Sequence, residues 1–132
     1  MEQRLSFVTL AVDDLAASRR FYVDGLGWTP SFEGAEILML PVGPGLTLSL
    51  WSRPAFEAEC GPTATADAPL TLAHNVGSRA EVDAVLAEAT AAGATLVRVA
   101  EPREWGGYSG YVADPDGYRW EIAHDPTADA PA

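Results

Sequence analysis

The sequence contains a single cysteine, Cys60, so no internal disulfide can form, which fits a reducing compartment and sets the expectation of a cytoplasmic protein. No apolar run approaches the roughly 20 residues of a membrane span, and the N-terminus lacks the basic and then apolar layout of a secretory signal. Positive charge is also scarce. Eight Lys and Arg against 19 Asp and Glu give a formal net charge of -11, with no basic stripe, so nucleic acid and anionic membranes are excluded as partners and cationic ones are favoured. There is no Gly-x-Ser-x-Gly elbow, and Cys60 has no histidine at a diagnostic spacing, so nothing here supports nucleophilic hydrolysis. Gly106, Gly107 and Gly110 precede a strand rather than a helix, so they lack the helix N-terminus that a phosphate loop requires.

What is present is an ordinary globular composition, 48% hydrophobic and 20% charged over 132 residues, which predicts one compact domain with a real core. The stretch Trp105 to Asp125 reads as a β-hairpin turning at Asp114-Pro115-Asp116-Gly117. Strand alternation then sends Tyr118, Trp120 and Ile122 to one face and Arg119, Glu121 and Ala123 to the other.

Before the hairpin, Leu5 to Val12 alternates as a strand, and Asp13 or Asp14 N-caps a helix running to about Asp24. Short strands are expected at Trp28 to Glu33 and Ala35 to Leu40. In the next strand, Leu46, Leu48 and Leu50 oppose Thr47, Ser49 and Trp51. Residues 54–68 lose the pattern and read as a linker. Leu70 to Val76 then begins the same order again, Ser78 to Glu81 has capping-box spacing, and Val82, Val85, Leu86 and Ala89 form a helical stripe. Thr95 to Val99 and the hairpin complete the unit, and residues 126–132 form a tail. The result is an α+β chain with two βαβββ modules, at about 4–53 and 69–125, whose curved mixed sheets would enclose a shared groove. Gly45 to Pro54 aligns with Gly117 to Pro126 at an offset of 72, so Ser49 is the counterpart of Glu121. The opening strands align at an offset of 64, pairing Phe7 with Thr71.

Phe7-Val-Thr-Leu-Ala-Val-Asp-Asp-Leu, Arg20-Phe-Tyr, Gly25-Leu-Gly and Asp114-Pro-Asp-Gly-Tyr-Arg-Trp-Glu121 together resemble the vicinal oxygen chelate superfamily, which includes glyoxalases, extradiol dioxygenases and bleomycin resistance proteins. The resemblance covers nearly the whole chain. It implies that each sheet curls around half of a cavity, commonly within a homodimer. It also implies that metal-dependent members would carry ligands at the positions of Phe7, Ser49, Thr71 and Glu121. Only Glu121 of these binds a divalent ion well, so the expectation is a metal-free site with no cofactor, the alternative being an atypical divalent metal at Glu121. His74, expected to face the helix layer, reads as a core histidine, and His124 as an exposed one.

The candidate ligand-binding residues are Phe7, Thr9, Ser49, Trp51, Thr71, Asn75, Trp105, Tyr108, Tyr111, Arg119 and Glu121, with Trp28 and Trp120 assigned to the core. Glu121, the one catalytic candidate, could accept a hydrogen bond from a ligand, attract a cation, or act as a base if desolvated. Its structural reading is an ion pair with Arg119, with Arg103 or Arg53 nearby. Two functions follow as expectations. One is binding of a cationic or aromatic small molecule, such as sequestration of an antibiotic. The other is a lyase, isomerase or dioxygenase of the glyoxalase kind.

Overall fold

The computed structural model describes residues 1–63 and 70–127. Strand β1 (Phe7–Val12) leads to helix α1 (Leu15–Arg19), capped by the Asp14 side chain accepting from the Ala17 amide. The helix continues into a π turn, Arg20–Gly25, where the Leu26 amide reaches the Phe21 carbonyl at 2.8 Å. Strands β2 (Phe32–Glu33), β3 (Ile37–Pro41) and β4 (Thr47–Ser52) complete a four-stranded mixed sheet of order β1-β4-β3-β2, with β1 parallel to β4. The second sheet repeats it. Strand β5 (Thr71–Asn75), helix α3 (Arg79–Ala91), and strands β6 (Thr95–Pro102), β7 (Tyr108–Ala113) and β8 (Arg119–His124) give the order β5-β8-β7-β6. Neither sheet closes on itself, and among the described residues no helix is long and apolar enough to cross a membrane.

The chain divides into two compact units, Met1–Ala66 and Asp67–Ala132, and each builds its own core. In the first, Leu10, Val12, Leu38, Leu40, Leu48 and Leu50 share one sheet face and are buried beside Phe21 and Tyr22. In the second, Val112 and Ile122 are buried with Val82, Leu86 and Ala89 of α3. Burial of each such aliphatic side chain is worth about 1.5 to 3 kcal/mol, and alternation along the strands puts them all on the helix side. Gly110 lets these layers close: a Cβ there would stand 2.6 Å from a Leu86 methyl and 3.0 Å from the Ala100 amide.

The hairpin turn is held by one side chain. Asp114 Oδ1 accepts from the Asp116 and Tyr118 amides, both at 2.9 Å, while Gly117 takes the left-handed φ of 85°. Ser78 caps α3 by accepting from the Glu81 amide, and the Glu81 carboxylate takes the Ser78 hydroxyl at 3.4 Å.

The structure departs from the sequence reading in several places, among them the expected strand Trp28 to Glu33, which is only Phe32–Glu33. Within the expected linker, Arg53–Cys60 forms a helix, α2, capped by Ser52 with proline in its first turn. None of its residues is fully buried; Arg53 ties it to Asp13 at 2.6 Å and to Thr63 at 2.8 Å. Residues 64–68 of that linker, residue 69 and the tail from 128 onward lie outside the described residues. Strand β6 runs three residues past Val99, with two register shifts against β7. The histidines also exchange roles. His74 sits on an edge strand and is exposed, whereas His124 is half-buried with its Nδ1 3.2 Å from the Val76 carbonyl.

Candidate functional site

Ladder register places the equivalent positions of the two units. Thr9 stands opposite Ser49 on β1 and β4, and Ala73 opposite Glu121 on β5 and β8. The offsets are 73 minus 9, or 64, and 121 minus 49, or 72, the same as those read from the sequence. Both pairs lie on the sheet face away from the helix, because their neighbours on the other face form the cores.

In the first unit this face is neutral. Ser49 is 1% exposed and its hydroxyl accepts the Trp51 indole N–H at 2.7 Å, so both groups are satisfied by each other. Thr9 lies beside Ser49, while Phe7, two residues earlier, is 54% exposed.

In the second unit the face is charged. Glu121 is half-buried, and its Oε2 accepts the Tyr111 hydroxyl from the neighbouring strand at 2.7 Å. That bond, then burial, hold the Tyr111 phenol above its ordinary pKa of 10.0, because losing the proton would set a phenolate against a carboxylate. Arg103 lies alongside, its side chain only 12% exposed. It donates from Nε to Ser109 Oγ at 3.0 Å, from Nη2 to the Ser109 carbonyl at 2.9 Å and from Nη1 to Glu101 at 2.6 Å. Its guanidinium sits 5.8 Å from the Tyr111 ring centroid. Arg98 joins from β6, donating to the same Glu101 oxygen at 3.2 Å.

Of the residues expected at a site, the structure gathers Tyr111, Glu121, Arg119 and Thr71 on this face, with Asn75 one row on from Ala73. Within the first unit, Thr9, Ser49 and Trp51 share one sheet face. Tyr108 departs from expectation. It is three residues from Tyr111 on a strand, hence on the opposite face, where its hydroxyl donates to Asp83 of α3 at 2.7 Å and Arg79 stacks over its ring. Trp105 lies in the preceding loop, 54% exposed and folded over Gly107, where a Cβ would meet its ring at 1.9 Å. The expected Arg119–Glu121 ion pair does not form among the described residues. Arg53 instead pairs with Asp13 and Arg103 with Glu101, so neither serves Glu121. Sequence reasoning does not assign Arg98, Glu101 or Ser109 to the site, and it considers Arg103 only as a neighbour of Glu121. The register shifts in β6 carry Arg98 and Glu101 to one face, which alternation alone does not foresee.

The donor set does not fit a metal centre of the family type. Phe7 has no lone pair, Ser49 is engaged by Trp51, and Thr71 is an exposed neutral hydroxyl. Among the described residues no three His, Cys, Asp or Glu converge. Glu121 with a phenol falls short of the roughly three or four protein ligands such an ion needs, so the atypical divalent site at Glu121 is not supported either.

Two four-stranded mixed sheets with helices on one face, each the product of a strand, a helix and three strands, define a glyoxalase-type α+β protein. A sequence model of the Glyoxalase/Bleomycin resistance protein/Dioxygenase superfamily matches residues 4–122, and the chain belongs to that superfamily. The crystal structure of a glyoxalase-related enzyme from Fulvimarina pelagi is similar to it with a TM-score of 0.91 and 39% identity, over 99% of this chain and 94% of that one. An uncharacterized protein of Mycobacterium bovis is 34% identical over 123 residues, 86% of this chain and 78% of its own. A lactoylglutathione lyase from Agrobacterium tumefaciens superimposes with a TM-score of 0.73 over 95% of this chain and 96% of its own; at 21% identity that likeness speaks for the fold alone.

Proposed function

We propose that this chain is a small-molecule-binding protein that works without a metal, using the face of its second sheet around Glu121 and Tyr111 for recognition. The observation that supports this reading is the state of the Glu121 carboxylate. It is half-buried, one oxygen holds the Tyr111 hydroxyl, and the other has no partner among the described residues. A partly desolvated acceptor with a free lone pair recognises a donor group on a ligand more strongly than a fully hydrated one would. Sequestration of an aromatic or cationic compound, as in bleomycin resistance proteins, is one version of this function. The net charge of -11 draws cations to the chain as a whole rather than to this face in particular, and Trp105 adds an exposed stacking surface. Titration calorimetry with bleomycin-type antibiotics tests that version. Binding that Glu121→Gln weakens is expected, and no heat at high micromolar concentration removes antibiotic sequestration from consideration.

One observation favours an enzyme instead. Tyr111 and Glu121 form a hydrogen-bonded pair that can hold and move a proton between its two oxygens, as a lyase or isomerase would require of its acid and base. A lone pair of this kind without a second acid or an electrophile ranks below recognition.

A further inference from the structure

Building on the recognition reading above, we infer that the ligand is a small zwitterion, its anionic group held by Arg119 and its ammonium or N–H donor by Glu121, across a flat spacer lying over the sheet. The inference starts from local charge. The whole chain has eight basic and 19 acidic residues, yet the open face of the second sheet carries three arginines, Arg98, Arg103 and Arg119, against two glutamates, Glu101 and Glu121. Salt screens charges over about 8 Å at physiological ionic strength, so a small bound molecule responds to these five groups more than to the distant acidic surface. A simple cation would meet a locally positive face.

The five charges are not equally available. Arg103 and Arg98 share Glu101, and Arg103 is further fixed by both Ser109 oxygens. Among the described residues this leaves Arg119 with no ion pair and no side-chain hydrogen bond, and Glu121 with Tyr111 alone. The two have opposite charge and stand two residues apart on one strand face, yet they do not join. Two residues along a strand span about 7 Å, enough to hold the two ends of a compact zwitterion. The ladder neighbours of this pair are small. Ala113 and Thr71 flank Arg119, and Ala73 flanks Glu121 on the side away from Tyr111, which leaves open surface between the charged heads.

The test uses the full chain and three probes of one shape, 4-(aminomethyl)benzoate, benzylamine and benzoate, titrated calorimetrically with ligand-observed NMR as a second reading. The zwitterion is expected to bind at least about tenfold more tightly than either single-ended probe. Arg119→Gln should reduce it to the level of benzylamine, and Glu121→Gln to the level of benzoate. Arg119 is exposed, so its variant should fold like the parent, which circular dichroism checks. If Arg119→Gln leaves zwitterion binding unchanged, or if benzylamine binds equally well in a Glu121-dependent way, the zwitterion assignment is wrong while recognition at Glu121 stands. If none of the three binds at millimolar concentration, both fall.

Discussion

The two halves of the chain carry the same ladder with different chemistry on it. Met39, Thr47 and Ser49 in the first sheet occupy the places of Tyr111, Arg119 and Glu121 in the second, each 72 residues on. In both sheets the residue on the central antiparallel strand stands opposite the one on its neighbour: Met39 with Ser49, Tyr111 with Glu121. Yet one side is neutral and self-satisfied through the Ser49–Trp51 bond, while the other keeps a half-buried acid, a tethered phenol and an arginine without a partner among the described residues. A repeated scaffold thus builds the same core twice and carries charged groups on the opposite face of only one sheet. The helix-side faces explain why this is tolerated. They supply the burial that holds each unit together, leaving the opposite faces free to diverge.

Exchanging the paired residues should break that symmetry most sharply. Ser49→Glu puts a carboxylate at a position 1% exposed, where the Trp51 indole N–H is a neutral donor and no cation among the described residues pairs with it, and should cost about 3 to 5 kcal/mol in urea denaturation. The reverse change, Glu121→Ser, removes one acceptor from a phenol that water can reach, and should cost no more than about 1.5 kcal/mol while weakening ligand binding. The cores should behave alike where the open faces do not. Leu50→Ala and its counterpart Ile122→Ala each delete a buried side chain under a helix, and each should lose about 2 to 5 kcal/mol by the same assay.

The smallest expected effect is a titration. The Tyr111 pKa lies above its ordinary value, so the stability contributed by its bond to Glu121 is complete below pH 10 and is lost as pH rises through the raised pKa. Ultraviolet difference titration against Tyr111→Phe should show one tyrosine ionising late. Glu121→Gln should bring that ionisation down towards the ordinary value, and Arg103→Met should push it further up, because the nearby guanidinium favours the phenolate. Equal Tyr111 titration in the wild type and in Glu121→Gln would separate Tyr111 from Glu121 in solution.

Much of this architecture is legible in the sequence alone. The offsets of 64 and 72, the faces of β1, β4 and β8, and the Asp114 turn all follow from period-two alternation and turn chemistry, which are local. What escapes depends on context. Helix α2 spans only eight residues and buries none of them fully, so it is too short for a helical pattern to stand out from the Pro- and Ala-rich stretch around it. Tyr108 and Tyr111 group together as aromatics, although odd spacing separates them across the strand. His74 lacks its expected cover because an edge strand has a neighbour on only one side. The Arg98–Glu101–Arg103 cluster arises from shifts in β6 register that no composition rule marks. At Glu121 strand alternation singles out the residue, but only tertiary structure replaces Arg119 with Tyr111 as its partner.

Metal analysis of the purified chain, wild type beside Glu121→Ala, tests the central claim most directly. A recognition face built on one carboxylate and one phenol predicts far less than one equivalent of nickel, zinc, iron or manganese in both proteins, including after incubation with each ion. A full equivalent in the wild type that vanishes from the variant would contradict it and make Glu121 the ligand of a catalytic centre.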